Sequence, residues 1–254
     1  MKNSVVVNNQ LINYYSFGEG GGVPLVFLHG WRSNGLAWQK IASQLALGPF
    51  SVYLLDLPGF GESPLPKRDF YVQDYTDLIT AFIEKLNLKK VILIGHSFGG
   101  RIATKLAAQN PSLIEKLVLV DSAGLIKPRS RGVLKTLTTI IAKLAKPLFS
   151  PKFMKAWRTK IYQKLGAEDY AVFGQLKQTF LNVIKEDLGS SFAQVTSPTL
   201  IIWGENDKTT PLTDAKIMNG LIKNSQLVVL KEAGHSCFID QPQEFYKELV
   251  KFIK

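Results

Sequence analysis

The sequence predicts an α/β fold: a mostly parallel sheet with helices on both faces, interrupted by one helical insertion. Three observations predict it. Short, almost unbroken apolar runs such as Leu25-Val26-Phe27-Leu28 and Val91-Ile92-Leu93-Ile94 recur along the chain. Segments with helical apolar spacing separate them, which is the signature of strands buried on both sides. Between Leu125 and Gln194 the alternation stops, and no convincing strand occurs.

In chain order, Val5 to Val7 and Leu11 to Phe17 flank an Asn-Asn-Gln turn and read as a hairpin. Leu25 to Leu28 is a buried strand, Leu36 to Leu47 a helix, and Val52 to Leu55 a strand. Tyr71 to Leu86 carries Leu78, Phe82 and Leu86 at helical spacing. Strand Val91 to Ile94, helix Gly99 to Gln109 and strand Leu117 to Val120 follow. After the break come strand Leu200 to Trp203, a short helix from Thr213, strand Gln226 to Leu230 and a last helix from Pro242. In the insertion, Val133 to Phe149, Pro151 to Leu165 and a stretch to Ile184 read as helices. The expected division is therefore a core of residues 1–124 and 195–254, with a helical lid or cap at 125–194. Ligands of open α/β sheets bind at the carboxyl ends of the strands, which is where an insertion after such a strand begins.

The chain has 254 residues, 46% of them hydrophobic and 20% charged, enough for one sizeable core and unlike a disordered chain. A lone cysteine, Cys237, excludes an internal disulfide and a cysteine metal cluster. The three-residue apolar run Val5-Val6-Val7 is too short for a signal-peptide core, and no stretch approaches the roughly 18 apolar residues of a membrane span. A cytoplasmic protein is the expectation. The net charge of +11 is concentrated. Residues 127–191 hold 13 Lys/Arg against 4 Asp/Glu, while the rest holds 18 against 16.

The chemistry begins at Gly95-His96-Ser97-Phe98-Gly99-Gly100. A buried strand runs into Gly-x-Ser-x-Gly and a helix follows, the strand–turn–helix setting of a nucleophile elbow. The same five residues in an arbitrary turn would carry no such meaning. A serine hydroxyl needs a base, and the chain has three histidines. His96 adjoins Ser97 in the turn and points elsewhere. His29 ends the Leu25–Leu28 strand. His235, in Ala233-Gly234-His235, lies in a loop past a strand end and can swing its ring to the elbow, so it is the expected base. An isolated loop histidine is otherwise a surface residue. The base needs a carboxylate to fix its tautomer. Asp207, in Trp203-Gly204-Glu205-Asn206-Asp207, gives the chain order Ser, Asp, His. Asp121 also ends a strand and competes; Glu205 competes more weakly. The oxyanion donors expected are the backbone N–H groups of Phe98, which follows the nucleophile, and Trp31, in the loop after the first parallel strand.

These residues resemble the α/β-hydrolase superfamily over essentially the whole chain. The resemblance is carried by His29-Gly30-Trp31, Asp56-Leu57-Pro58-Gly59-Phe60-Gly61-Glu62-Ser63, Gly95 to Gly100, Trp203 to Asp207 and Gly234-His235. It implies the α/β-hydrolase fold and a Ser97–His235–Asp207 triad, and says almost nothing of substrate. The Asp56–Ser63 stretch in such proteins is a structural turn. A serine nucleophile sets the chain apart from the dehalogenases and epoxide hydrolases of this fold, which use aspartate. Carbon–carbon hydrolases of the fold typically carry a Gly-Pro-Gly oxyanion loop and a Trp after the catalytic His; here Trp31-Arg32-Ser33-Asn34-Gly35 and Ser236 stand there. Arg101, just past the elbow, is arranged as in proteins resembling the menaquinone-pathway lyase of this fold, which acts on a carboxylate-rich substrate. A helix residue pairing a nearby carboxylate explains Arg101 as well.

The resemblance and the residues together lead to a carboxylesterase that needs no metal or organic cofactor, acting on a small ester with a hydrophobic part. A carbon–carbon hydrolase or lyase on an anionic substrate and a ligand-binding homologue without turnover are the alternatives. In the insertion, Leu134, Leu137, Ile140, Ile141, Leu144 and Leu148 fall at helical spacing among Lys135, Lys143 and Lys146. Such a helix packs its apolar face on the protein or lies on an anionic membrane surface; packing is the expectation. No nucleic-acid motif accompanies the charge, and no nucleic-acid partner is expected.

Overall fold

The computed structural model describes residues 1–18, 21–126 and 174–254. The chain divides into two compact units, Met1–Leu125 with Thr179–Lys254, and Ile126–Gln178. The site lies in the first. The second is described only at Ile126 and residues 174–178, so the expected helices at 133–149 and 151–165, with their basic apolar face, lie outside the described residues.

Eight strands form one sheet: β1 (Lys2–Val7), β2 (Gln10–Phe17), β3 (Val23–Leu28), β4 (Phe50–Leu55), β5 (Val91–His96), β6 (Ile114–Val120), β7 (Thr199–Gly204) and β8 (Ser225–Leu230). Their order is β1-β2-β4-β3-β5-β6-β7-β8. The β1–β2 hairpin and the β2–β4 pair are antiparallel, and every other pair is parallel. The hairpin turns at Asn8 and Asn9, both at positive φ (47° and 61°), as a two-residue turn matched to strand twist requires. The fold class is the one expected.

The helices are α1 (Gln39–Leu45), α2 (Val72–Lys85), α3 (Phe98–Gln109), α4 (Lys177–Lys185), α5 (Gly189–Gln194), α6 (Leu212–Leu221), α7 (Cys237–Asp240) and α8 (Pro242–Ile253). Strand side chains alternate between faces. Leu25, Phe27, Ile92, Ile94, Val118, Val120, Leu200 and Ile202 share one cluster with Trp38, Ile41 and Leu45 at α1 and with Phe245, Leu249 and Ile253 of α8. The intervening Val26, Leu93, Leu117, Leu119 and Ile201 are equally buried, and α2, α3 and α6 cover that second face. Two covered faces explain the unbroken apolar runs. Each buried Leu, Ile or Phe contributes about 1.5–3 kcal/mol.

Residues 179–194 belong to the main unit rather than to a lid ending at 194. The physical reason is specific bonding and burial. Thr179 Oγ1 accepts the Phe70 N–H at 3.0 Å, and the Leu188 N–H donates to the Gly124 carbonyl at 2.8 Å. Phe192 of α5 is fully buried. Among the described residues no helix is long and apolar enough to cross a membrane.

Register places the site. Leu28 pairs Gly95, His96 pairs Val120, Val120 pairs Ile202, and Gly204 pairs Leu230. The carboxyl ends of five parallel strands therefore lie side by side, and the loops leaving them converge on one edge.

Candidate active site

Ser97 sits between β5 and α3 with φ 49° and ψ −107°, a conformation L-residues rarely adopt. Two glycines make that turn possible. A Cβ on Gly95 would lie 2.5 Å from the Gly99 carbonyl oxygen, and one on Gly99 would overlap the Leu28 carbonyl oxygen. Both obstacles are backbone and cannot rotate away. The turn is locked by the Ser97 N–H donating to the Val120 carbonyl (3.0 Å) and the Gly99 N–H donating to the His29 carbonyl (3.1 Å). Gly99→Ala is expected to destabilise the fold at the upper end of the about 1–3 kcal/mol typical of overpacking. Thermal melts check this, with Tm falling by about 6–12 °C.

The structure brings Ser97, His235 and Asp207 together. His235 Nε2 lies 3.0 Å from Ser97 Oγ, and His235 Nδ1 lies 2.8 Å from Asp207 Oδ2. Asp207 accepts three further bonds. Its Oδ1 takes the N–H groups of Thr209 (2.7 Å) and Thr210 (3.0 Å), and its Oδ2 takes the Thr210 hydroxyl (2.6 Å). Burial pushes the Asp207 carboxyl up, but the bonds from His235 and Thr210 outweigh it and hold the group below its ordinary value. An ionised Asp207 accepts only, so His235 carries its proton on Nδ1 and turns a bare Nε2 toward Ser97. That tautomer can take the serine proton.

Of the expected oxyanion donors, Phe98 directly follows the serine and Trp31 lies in the loop after β3. Phe98 opens α3, whose N-terminal end carries partial positive charge. The N–H groups of Gly99, Gly100 and Arg101 are committed to the carbonyls of His29, Ser97 and Ser97. Among the described residues the Phe98 N–H has no such acceptor, as an N–H held ready for a ligand would not. Trp31 lies in the neighbouring loop, its ring 5.0 Å edge-to-face from Phe98, 4.8 Å from Phe60 and 5.2 Å from Phe180. The loop is braced by Asp56, whose Oδ1 accepts the Gly35 N–H (2.7 Å) and Oδ2 the Glu62 N–H (2.9 Å). The Asp56–Ser63 turn is thus structural in this chain.

The remaining candidates are placed elsewhere. His29 accepts the Leu57 N–H on Nε2 (3.0 Å) and donates from Nδ1 to the Gly30 carbonyl (2.7 Å). Burial lowers its pKa to about 4. Glu205 accepts the Glu232 N–H at 3.3 Å on the exposed side of its loop. Arg101 Nη1 donates to the Glu186 backbone carbonyl at 2.8 Å, whereas Lys105 pairs the Glu186 carboxylate. Burial lowers Arg101 to about 10, still a cation at neutral pH. Cys237 is fully buried, and burial beside the Asp121 charge pushes its thiol well up, which keeps it unreactive. Asp121 spends both oxygens on backbone N–H groups and makes no bond to His235. Among the described residues no group of three His, Cys, Asp or Glu is placed to hold a metal ion.

Two residues escaped sequence reasoning. His96 does point away from Ser97, but its Nε2 donates to the His235 carbonyl at 2.7 Å and pins the loop of the base. Burial, then the neighbouring His235, lowers its pKa to about 3, so it is neutral. No sequence signal marks that bond. Thr210 was findable: Asp followed two and three residues later by Thr is the pattern of a side chain capping its own turn.

The chain belongs to the alpha/beta hydrolase fold family, whose sequence model matches residues 23–242. Among similar proteins is the pimeloyl-[acyl-carrier protein] methyl ester esterase of Aeromonas salmonicida, 30% identical over 92% of this chain and 96% of that one. The hydrolase YugF of Bacillus subtilis is 27% identical over 96% of this chain and 94% of its own. The solved structure of an esterase from Exiguobacterium antarcticum superposes with a TM-score of 0.77 at 25% identity, covering 100% of this chain and 99% of that one.

Proposed function

We propose that the protein is a serine hydrolase that cleaves carboxylic esters through an acyl-enzyme on Ser97. The observation that carries the proposal is the unbroken relay from Ser97 Oγ through His235 to buried Asp207, at 3.0 and 2.8 Å. His235 Nε2 takes the hydroxyl proton as Ser97 Oγ bonds to the ester carbon. The Phe98 and Trp31 N–H groups receive the negative oxygen. The tetrahedral adduct collapses, the carbon–alkoxy bond breaks, and His235 returns the proton to the departing alcohol. Water then attacks the acyl-enzyme, His235 takes its proton, and the acid leaves as Ser97 regains the proton.

An ester with a hydrophobic part is in keeping with the aromatic cluster of Trp31, Phe60 and Phe98 around the residue that follows the serine. Relatives named as esterases add support. The anionic-substrate alternative leaned on Arg101 and on the basic insertion; the Arg101 side chain is buried against the Glu186 carbonyl, and residues 127–173 lie outside the described residues. A cytoplasmic location is part of the proposal. The test is a series of p-nitrophenyl esters of increasing acyl length. Turnover with a preference for particular acyl lengths is expected. Rates no higher than buffer across the series would refute the ester reading.

A further inference from the structure

Asp121 is fully buried at the end of β6, with its backbone at a positive φ of 43°. The relay does not use it. Its carboxylate instead joins two loops. Oδ1 accepts the N–H of Gly204, the last residue of β7 and three residues before Asp207, at 2.8 Å. Oδ2 accepts the N–H of Cys237, two residues after His235, at 3.0 Å. Its carbonyl lies 3.0 Å from the Thr210 hydroxyl, which also touches Asp207.

We propose that Asp121 is a positioning residue for the reaction proposed above: its ionised carboxylate ties the Asp207 loop to the His235 loop and so sets where His235 meets Asp207 and Ser97. The inference rests on that reading of the site only for its effect on turnover; the tie itself is a matter of geometry.

An ionised carboxylate accepts on both oxygens and can hold two N–H donors at once. Asparagine has the same shape but one acceptor, and its NH₂ would face a donor. The charge is held against burial. Burial raises the Asp121 pKa, the Gly204 N–H, the Cys237 thiol and the Cys237 N–H pull it back, and the Asp207 charge adds to the rise, for a net value of about 6. The titratable groups that act on it are the Cys237 thiol on the His235 loop, which hydrogen-bonds it, and Asp207 beyond β7. The sign follows. Above about pH 6 the carboxylate accepts both bonds, and as pH falls through that value one oxygen gains a proton and the tie opens.

Asp121→Asn tests the inference. At about pH 8, kcat for a p-nitrophenyl ester is expected to fall by roughly tenfold to a hundredfold, as small misplacements of reacting groups do, with KM changed less than about twofold. The parent is expected to show a downfield proton resonance for His235 Nδ1–H, and the variant to broaden or lose it. A variant that keeps this resonance overturns the proposal, whatever its kcat. A second measurement needs no variant: the amide protons of Gly204 and Cys237 in the parent protein are expected to titrate with one shared midpoint. Separate midpoints, or none, overturn it too. The two resonance measurements need no turnover, so a failure of the ester reading and a failure of the tie are told apart.

Discussion

Ser97→Ala is expected to lower ester turnover by about 10⁵–10⁶-fold, the scale of removing a serine nucleophile that acts with its base as one unit. The size follows from what remains. Without Oγ, His235 Nε2 has no hydroxyl to deprotonate, and only the oxyanion donors and substrate binding remain. The fold should not change. Ser97 Oγ contacts His235 in the relay, and the strained backbone at φ 49° is as strained for alanine as for serine. Tm is expected within about 2 °C of the parent, equivalent to about 0.5 kcal/mol or less. Initial rates with the best p-nitrophenyl ester and a thermal melt of the same sample check both halves. A loss of only tenfold would mean that a different group attacks.

Asp207→Asn is expected to lower kcat by about 10⁴-fold, as in serine-protease triads where the base is left in the wrong tautomer. The geometry gives the reason. Asp207 Oδ1 faces the Thr209 and Thr210 N–H groups, and Oδ2 faces His235 Nδ1. An asparagine amide must turn its oxygen to the two N–H donors, which leaves its NH₂ against Nδ1. His235 then carries its proton on Nε2, aimed at Ser97 Oγ, and cannot act as base. KM should change little, since Asp207 touches no substrate-facing surface. Nitrogen NMR of the imidazole reads the tautomer directly. The native carboxyl, held below its ordinary value, is ionised throughout the neutral range. Its contribution to stability is present above the unfolded pKa and is lost as pH falls through the folded one.

Much of this was legible in the sequence because it follows local rules. The strands show as apolar runs, since both faces of the sheet are covered. The elbow shows as Gly95 and Gly99, since the approaching Gly99 and Leu28 backbones exclude side chains there. Other features depend on what meets in space. Asp121 and Asp207 both follow strands in the sequence; only register reveals that one meets His235 and the other meets the N–H groups of Gly204 and Cys237. The bond from His96 to the His235 carbonyl spans 139 residues and has no local trace. The contacts that group residues 179–194 with the main unit likewise leave no trace in helical periodicity. The four-residue α7 is too short to show a period at all.

The central claim is that Ser97 is the nucleophile. The most direct test is to treat the protein with a small fluorophosphonate, weigh it intact and map the adduct by peptide mass spectrometry. A single adduct on the peptide containing Ser97, absent in Ser97→Ala, is the predicted result. No adduct, or one that persists in Ser97→Ala, would contradict it.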